Sequence, residues 1–402
     1  MSSRNATIQG YIRSDGRKGI RNYIVVAYLV ECAHHVAREI VDRFRGEPVH
    51  LIGFGGCYPN AYADRMMTAL CTHPNVGGTL LLSLGCESFN RHKLEERISR
   101  SGRPVETIVI QQTGGTRKSI DAGVSWVAQA LKQVARVPRA SMQVGDLVVG
   151  TVCGGSDATS GISANPAVGR AFDLLVEQGA ATIFEETGEM IGLGEVMSER
   201  AVTRELGREL KGSVDKAAYY YREMGHASFA PGNAEGGLTT IEEKSIGAYC
   251  KSGDSPISGL LKPGDIPRKS GLYLLDVVPD GEPRFGFPNI NDNAEIAELI
   301  ACGSHAILFT TGRGSVVGSA ISPVIKICAN PETYDRMSED MDINAGKVLR
   351  FQATVDQVGR EIYSKLLDVA SGSPSCSEAL GHQEFVLTYK SFEPLGPNCL
   401  PV

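Results

Sequence analysis

"LVVGTVCGGSDATSGISANPAVGRAFDLLVEQGAATIF", residues 147–184, decides the fold. It opens on a short, continuous apolar run, LVVGTV, and closes on another, ATIF. Between them NPAVGRAFDLLVEQGA spaces its apolar residues as a helix does. Runs without polar alternation belong to strands buried on both faces. A helix joining two such strands makes the crossover that lays them parallel. The unit is therefore β-α-β. Its first strand ends in a bare loop, CGGSD, which carries a thiol and a carboxylate.

The same alternation extends towards the N-terminus. NYIVVAYLV (22–30) precedes the helical ECAHHVAREIVDRF. VHLIGF (49–54) precedes GGCYPN and a helical stretch near 61–71. GTLLLSLG (78–85) precedes CESFNRHKLEERISR, and ETIVIQQ (106–112) precedes TGGTRKSIDAGVSWVAQALKQVARV. ARVPRASMQVGD (135–146) reads as a polar linker. On the other side a helical stretch spans about 195–224. Residues 225–270 are rich in Gly, Ser and Pro, with one short helical piece near 240–250. GLYLLDVVP (271–279), NAEIAELIACG (293–303) and HAILFTT (305–311) then form another β-α-β unit, and the tail from about 370 is irregular. The pattern predicts an α/β fold: a parallel, Rossmann-like N-terminal domain over 8–138, then a second, larger α/β domain over 145–390 that carries catalysis.

Bulk properties narrow the class. With 402 residues, 42% of them hydrophobic, the chain can build more than one core. A net charge of −6 speaks against a nucleic-acid binder. No apolar run reaches the roughly 20 residues that span a bilayer, so no membrane contact is expected. The N-terminus lacks the apolar core of a signal peptide, so the expected location is the cytoplasm. The ten cysteines are scattered and include no C-x-x-C pair, which excludes a disulfide framework.

In an open parallel sheet the ligand crevice lies at the carboxyl ends of the strands. Polar groups on glycine loops recur there: Cys57; Cys86 with Glu87; Gln111, Gln112 and Thr113; Cys153 with Ser156 and Asp157; Glu185, Glu186 and Glu189; Arg313 and Ser315. Such loops let backbone amides approach a ligand closely. Cys57, Cys86 and Cys153, each flanked by glycine, are readable as three thiolates converging on a metal, or as small residues packed where strands enter loops. Asp157, Glu87 and Glu186 are candidate acids or bases, and equally readable as caps or solvated loop charges. Arg17 and Arg21 are candidate carboxylate anchors. The loop FAPGNAEGGLTTIEEKS (229–245) offers Asn233 as a substrate contact and Lys244 as a base or anchor. His226, in the loop before it, is a further possible catalytic group. GFGG (53–56) is not a full dinucleotide fingerprint, which weakens the rival reading of an NAD-linked oxidoreductase. A non-catalytic ligand-binding or scaffold subunit is the other rival.

Taken together, GYIRSDGRKGIRNYI, HPNVGG, LGCE, QQTGGTRKSIDAG, CGGSDATSGISANPAVG, ETGEM, PGNAEGGLTTIEEKSIGA, LFTTGRGS, NPETYDRM and DINAG resemble the altronate and galactarate dehydratase family, in family order. The resemblance implies a lyase that removes water from a sugar acid or another small 2-hydroxy acid to give a 2-keto-3-deoxy product. It implies iron as cofactor, as an iron–sulfur cluster or as mononuclear Fe2+, with Mn2+ as the alternative. A related branch eliminates sulfite from sulfolactate. Fused members carry a small SAF-type domain ahead of the segment like GYIRSDGRKGIRN. Nine residues precede that segment here, so a separate small SAF-domain subunit is the expected partner, within an oligomer.

Overall fold

The computed structural model describes residues 7–223, 225, 228–280, 291–388 and 390. His226 and Cys399 lie outside them. The chain enters through β1 (Thr7–Ile12) and β2 (Lys18–Gly19). It then runs β3 (Tyr23–Tyr28), β4 (Val49–Gly53), β5 (Val76–Ser83) and β6 (Val105–Val109), and returns through β7 (Ala140–Gln143). The second series is β8 (Val148–Cys153), β9 (Ala181–Phe184), β10 (Ile257–Leu261), β11 (Gly271–Leu275), β12 (Ala306–Thr311), β13 (Val324–Cys328) and β14 (Ile343–Asn344).

These strands make three sheets. A parallel four-stranded sheet has the order β4-β3-β5-β6, and a parallel seven-stranded sheet the order β10-β11-β9-β8-β12-β13-β14. Every residue of β5, β9, β12 and β13 is buried, as continuous apolar strands between helical layers should be. The α/β class read from the sequence is the class observed. The 135–146 segment differs from a plain linker: Ala140–Gln143 pairs antiparallel with β1, beside β2, in a third small sheet. Its alternating exposure had the look of a loop because an edge strand has one wet face. β10 and β13 also escape the sequence reading. ISGLL carries Gly and Ser inside a Gly/Ser/Pro-rich stretch, and VIKIC is interrupted by a lysine.

Each parallel sheet has one point where its connections diverge. From β3 the chain turns towards β4, and from β5 it turns the other way towards β6. In the larger sheet β8 leads towards β9 and β12 leads away towards β13. The crevices at these divergence points, β3/β5 and β8/β12, are where ligands bind in open parallel sheets. The two sheets are joined through helices: Ala61–Cys71 packs against Asp292–Ala301, within one apolar cluster that holds Met66, Leu70, Ile296 and Leu299. Asn75 reinforces the join, its Nδ2 donating to His305 O and Ile321 O.

Candidate active site

Cys153 is the last residue of β8 and is 4% exposed. Gly154 N donates to Thr310 O at 3.1 Å, and Gly155 O accepts from Gly312 N at 3.2 Å and Arg313 N at 2.9 Å. These bonds fasten the loops after β8 and β12 to each other at the divergence point. The bareness of the loop then has a steric cause. A Cβ on Gly154 would lie 2.1 Å from Asp292 Oδ2 and 2.5 Å from Phe309 Cζ, while Gly155 stands at φ +63. The glycine makes room for a carboxylate from another element.

Behind the loop is a buried ionic network. Lys251 is fully buried and pairs with Glu186, and Lys244 Nζ lies 2.5 Å from Glu189. The two glutamates sit three residues apart, before and at the end of a 3₁₀ turn, Thr187–Glu189. The two lysines sit seven apart, on the helix Ile241–Tyr249 and its 3₁₀ extension Cys250–Ser252, so two turns bring them to one face. Cys153 Sγ donates to Glu186 Oε1 at 3.1 Å and Glu189 Oε2 at 3.3 Å, and Ser156 Oγ is 3.1 Å from the sulfur. Glu186 adopts φ 77, a left-handed conformation unusual outside glycine. Strain of this kind costs about 1–3 kcal/mol and persists where surroundings over-determine it; the ion pair and Cys153 N, 3.2 Å from Oε1, do so.

Burial, then Glu186 and Glu189, push the Cys153 thiol well above its usual range, so the sulfur is a protonated donor. Burial drives Glu189 up, but Lys244 and Lys251 outweigh it and hold the carboxyl below its ordinary value. Burial disfavours the Lys244 ammonium, yet Glu189 outweighs it and keeps the lysine charged. Asp292 is pushed up to about 6 by burial and by Glu189, against Lys244 and Lys251.

In front of this network lies a cavity of about 710 Å³. Among the residues singled out in the sequence, Cys153, Ser156, Glu186, Glu189, Asn233, Lys244 and Arg313 line it. Asn233 Nδ2 donates to Ser156 O at 3.1 Å, and Arg313 reaches Gly232 O and, at 3.0 Å, Glu235. Asp157 lies beneath, accepting from Thr159 N and Asn330 Nδ2, and braces the loop rather than facing the cavity. Ser315 caps Val317 N nearby.

The remaining candidates are elsewhere. Arg21 uses all five guanidinium N–H groups on Glu378, Ile20 O, Val369 O and Ser373 O, which leaves none for a substrate. Arg17 holds Asp15 and Thr72 O. Thr113 bonds back to Val109 O in a short helical turn, Ile110–Thr113. Cys57, Cys86 and Glu87 sit at the end of the smaller sheet, the two cysteines exposed, whereas Cys153 is buried at the larger one. Among the described residues, two groups of at least three potential metal ligands have all ligand atoms within 4.8 Å: Cys153–Glu186–Glu189 and Glu185–Glu186–Glu295. Neither contains Cys57 or Cys86. Sequence reasoning missed Lys251, Asp292 and Glu295. The seven-residue spacing of Lys244 and Lys251 could have revealed the first; nothing local marks the other two, whose helix reads as ordinary amphipathic sequence.

A polar, ion-paired cavity at the divergence point of a parallel α/β sheet is where such folds bind ligands. Comparison with known proteins gives the class. The model of "D-galactarate/Altronate dehydratase, C-terminal" matches residues 144–392, and that of "D-galactarate dehydratase/Altronate hydrolase, second domain" matches 10–135. The chain is 32% identical over 398 residues to the (2R)-sulfolactate sulfo-lyase subunit beta of Chromohalobacter salexigens, covering 96% of this chain and 98% of that protein. It is 31% identical to the galactarate dehydratase (L-threo-forming) of Escherichia coli, over 91% of this chain and 73% of that one. With the altronate dehydratase of Bacillus subtilis it shares 29% over 92% and 75%. The chain belongs to the galactarate/altronate dehydratase family and is a lyase of that type. No helix among the described residues is long and apolar enough to cross a membrane.

Proposed function

We propose that this chain is the catalytic subunit of a metal-dependent lyase that removes a β-leaving group, water or sulfite, from a small 2-hydroxy acid. The observation that carries the reading is the Asp292 carboxylate over Gly154, at a cavity backed by two buried Lys–Glu pairs. Lys244 and Arg313 receive the substrate carboxylate, and Asn233 orients it. Asp292 takes the proton from C2. The electrons of that C–H bond form the C2=C3 double bond as the C3 substituent leaves with its own pair. The enol then gains a proton at C3 as its hydroxyl gives one up, and becomes the 2-keto product. A hydroxide has to leave with a proton, and Ser156, backed by the Cys153 thiol and Glu186, is the relay that supplies it. Sulfite leaves without one.

The donor chemistry fits a metal at one of the two ligand groups. Cys153–Glu186–Glu189 is already neutralised by Lys244 and Lys251. Glu185 is fully buried with both carboxylate oxygens lacking a hydrogen-bond partner, and Glu295 is 7% exposed. An unpaired buried carboxylate is costly. Glu185 and Glu295, with Glu186 completing the group, would hold Fe2+ or Mn2+ through oxygen. Bound there, the ion would supply Lewis-acid stabilisation of the charge that develops on the substrate.

A separate small SAF-domain subunit and an oligomeric holoenzyme are part of the same proposal, supported by the full-length match to a protein named as a beta subunit. So is the division into domains over 8–138 and 145–390, supported by the separate sheets. Sulfite as the leaving group has specific support, because that same match covers nearly the whole of both chains. The test is to combine the chain with a small subunit and Fe2+ or Mn2+, and offer a panel of sugar acids and (2R)-sulfolactate. A 2-keto product is expected, accompanied by sulfite where (2R)-sulfolactate is the substrate turned over. No turnover of any member by the metal-loaded complex would contradict the proposal.

A further inference from the structure

Three arginines gather at the amino ends of the smaller sheet, the end opposite its crevice. Arg13 follows β1, Arg17 precedes β2 and Arg103 comes just before β6. Arg13 and Arg103 are buried, at 7% and 5% exposure. Among the described residues the carboxylate that answers them is Asp15, whose Oδ2 lies 2.7 Å from Arg17 and 3.3 Å from Arg103. Arg13 has neutral partners only. Its Nε donates to Pro74 O at 2.7 Å, its Nη1 to Asn22 Oδ1 at 2.8 Å and its Nη2 to Arg21 O at 2.8 Å. A guanidinium carries five N–H groups, so two of Arg13's are left over. Arg21 shows a balanced case: burial disfavours its charge, but Glu378 outweighs burial. At Arg13 burial, then Arg103, lower the pKa to about 10, and Tyr11 and Asp15 do not make up the difference. At Arg103 burial likewise outweighs Asp15.

Arg13 and Arg103 line one cavity together with Ser14, Ser101, Gln133 and Gly77, the second residue of β5. Its volume is about 160 Å³, against about 710 Å³ for the cavity at the larger sheet, and the two share no lining residue. We propose that this smaller cavity binds a doubly charged inorganic oxyanion, sulfate or phosphate, between Arg13 and Arg103. Three guanidinium groups against one carboxylate leave two positive charges in excess, and unanswered charge at a buried site is costly. A dianion removes that excess. Arginine forks suit an oxyanion, which accepts paired N–H bonds. The volume suits a small ion and is too little for a second sugar-acid site. Bound there, the ion joins the β1–β2 turn to the starts of β5 and β6.

The inference is independent of the proposed lyase reaction, and its test reads binding. The full chain is titrated with sodium sulfate and, separately, with phosphate, at an ionic strength held constant with chloride. Calorimetry should show one dianion per chain, and the melting temperature should rise saturably, as it does when a ligand binds the native state alone. Arg313→Gln, which removes a cation from the larger cavity, should behave as the native chain does. Arg13→Met and Arg103→Met each lose charge-assisted bonds and should bind about tenfold more weakly or not at all. Circular dichroism checks that each variant is folded. Where one is not, native crystals soaked in selenate decide: an anomalous peak between Arg13 and Arg103 is expected. The proposal is overturned if sulfate and phosphate do no more than chloride at equal ionic strength. It is overturned as well if Arg313→Gln abolishes binding while folded Arg13→Met keeps it, or if selenate is found only elsewhere.

Discussion

The carboxyl ends of the two parallel sheets share a design and differ in environment. Both place a glycine-flanked cysteine after a central strand, and both have a carboxylate close by. At the smaller sheet Cys57 and Cys86 are exposed and their loops carry few charges of their own. At the larger sheet Cys153 is buried against Glu186, Glu189, Lys244 and Lys251. A strand–Gly–Cys pattern therefore fixes where a thiol sits on a sheet. What that thiol does is set by elements far away in sequence. Lys251, through Glu186, and Asp292, beside Gly154, reach this loop from elements roughly a hundred residues or more downstream.

Replacing charges should separate the two ends most sharply. Lys251→Met strands Glu186 in a buried site, and breaking a buried ion pair costs about 3–5 kcal/mol. Chemical denaturation should show a loss of that size together with near-complete loss of turnover, whereas Cys86→Ser should leave the denaturation midpoint where it was. If Lys251→Met were as stable as the native chain, the ionic network would not be what holds Glu186 in its left-handed conformation.

A smaller effect tests the steric account of the bare loop. Gly154→Ala puts a Cβ against Asp292 and Phe309, an overpacking that costs about 1–3 kcal/mol. The thermal midpoint should fall and kcat should drop as Asp292 is displaced. A variant with unchanged kcat would show that Asp292 need not lie over the loop. Smaller still is the pH effect. Burial and Glu189 raise Asp292 from its ordinary range to about 6, opposed by Lys244 and Lys251, and the base works as the carboxylate. Turnover should therefore be low below that pH, rise through it, and level off above. A profile flat from pH 5 to 7 would remove Asp292 from the role.

Much of this was legible in the sequence because apolar strands, glycine loops and helical periodicity are local signals. They place Cys153, Ser156, Glu186, Glu189, Asn233, Lys244 and Arg313 at strand ends or on one polar loop, and the fold brings those seven to one cavity. Arg21 shows the limit. A basic GRKGIRN segment resembles an anion site, but Glu378, over three hundred residues away, takes up its guanidinium. Grouping the cysteines meets the same limit: Cys57 and Cys86 lie at the smaller sheet and Cys153 at the larger. Equal loop chemistry conceals which sheet each loop belongs to, and that depends on strand order, which a single sequence does not display.

The central claim is that proton abstraction occurs at the larger sheet with Asp292 as base. It is tested most directly by Asp292→Asn in the metal-loaded complex with its small subunit, assayed on whichever 2-hydroxy acid the native complex turns over. Loss of a general base costs about 10²–10⁴ in rate. A fall in kcat of that order, with metal content and melting temperature held at native values, is the predicted result. Native kcat in the folded, metal-loaded variant would contradict the account.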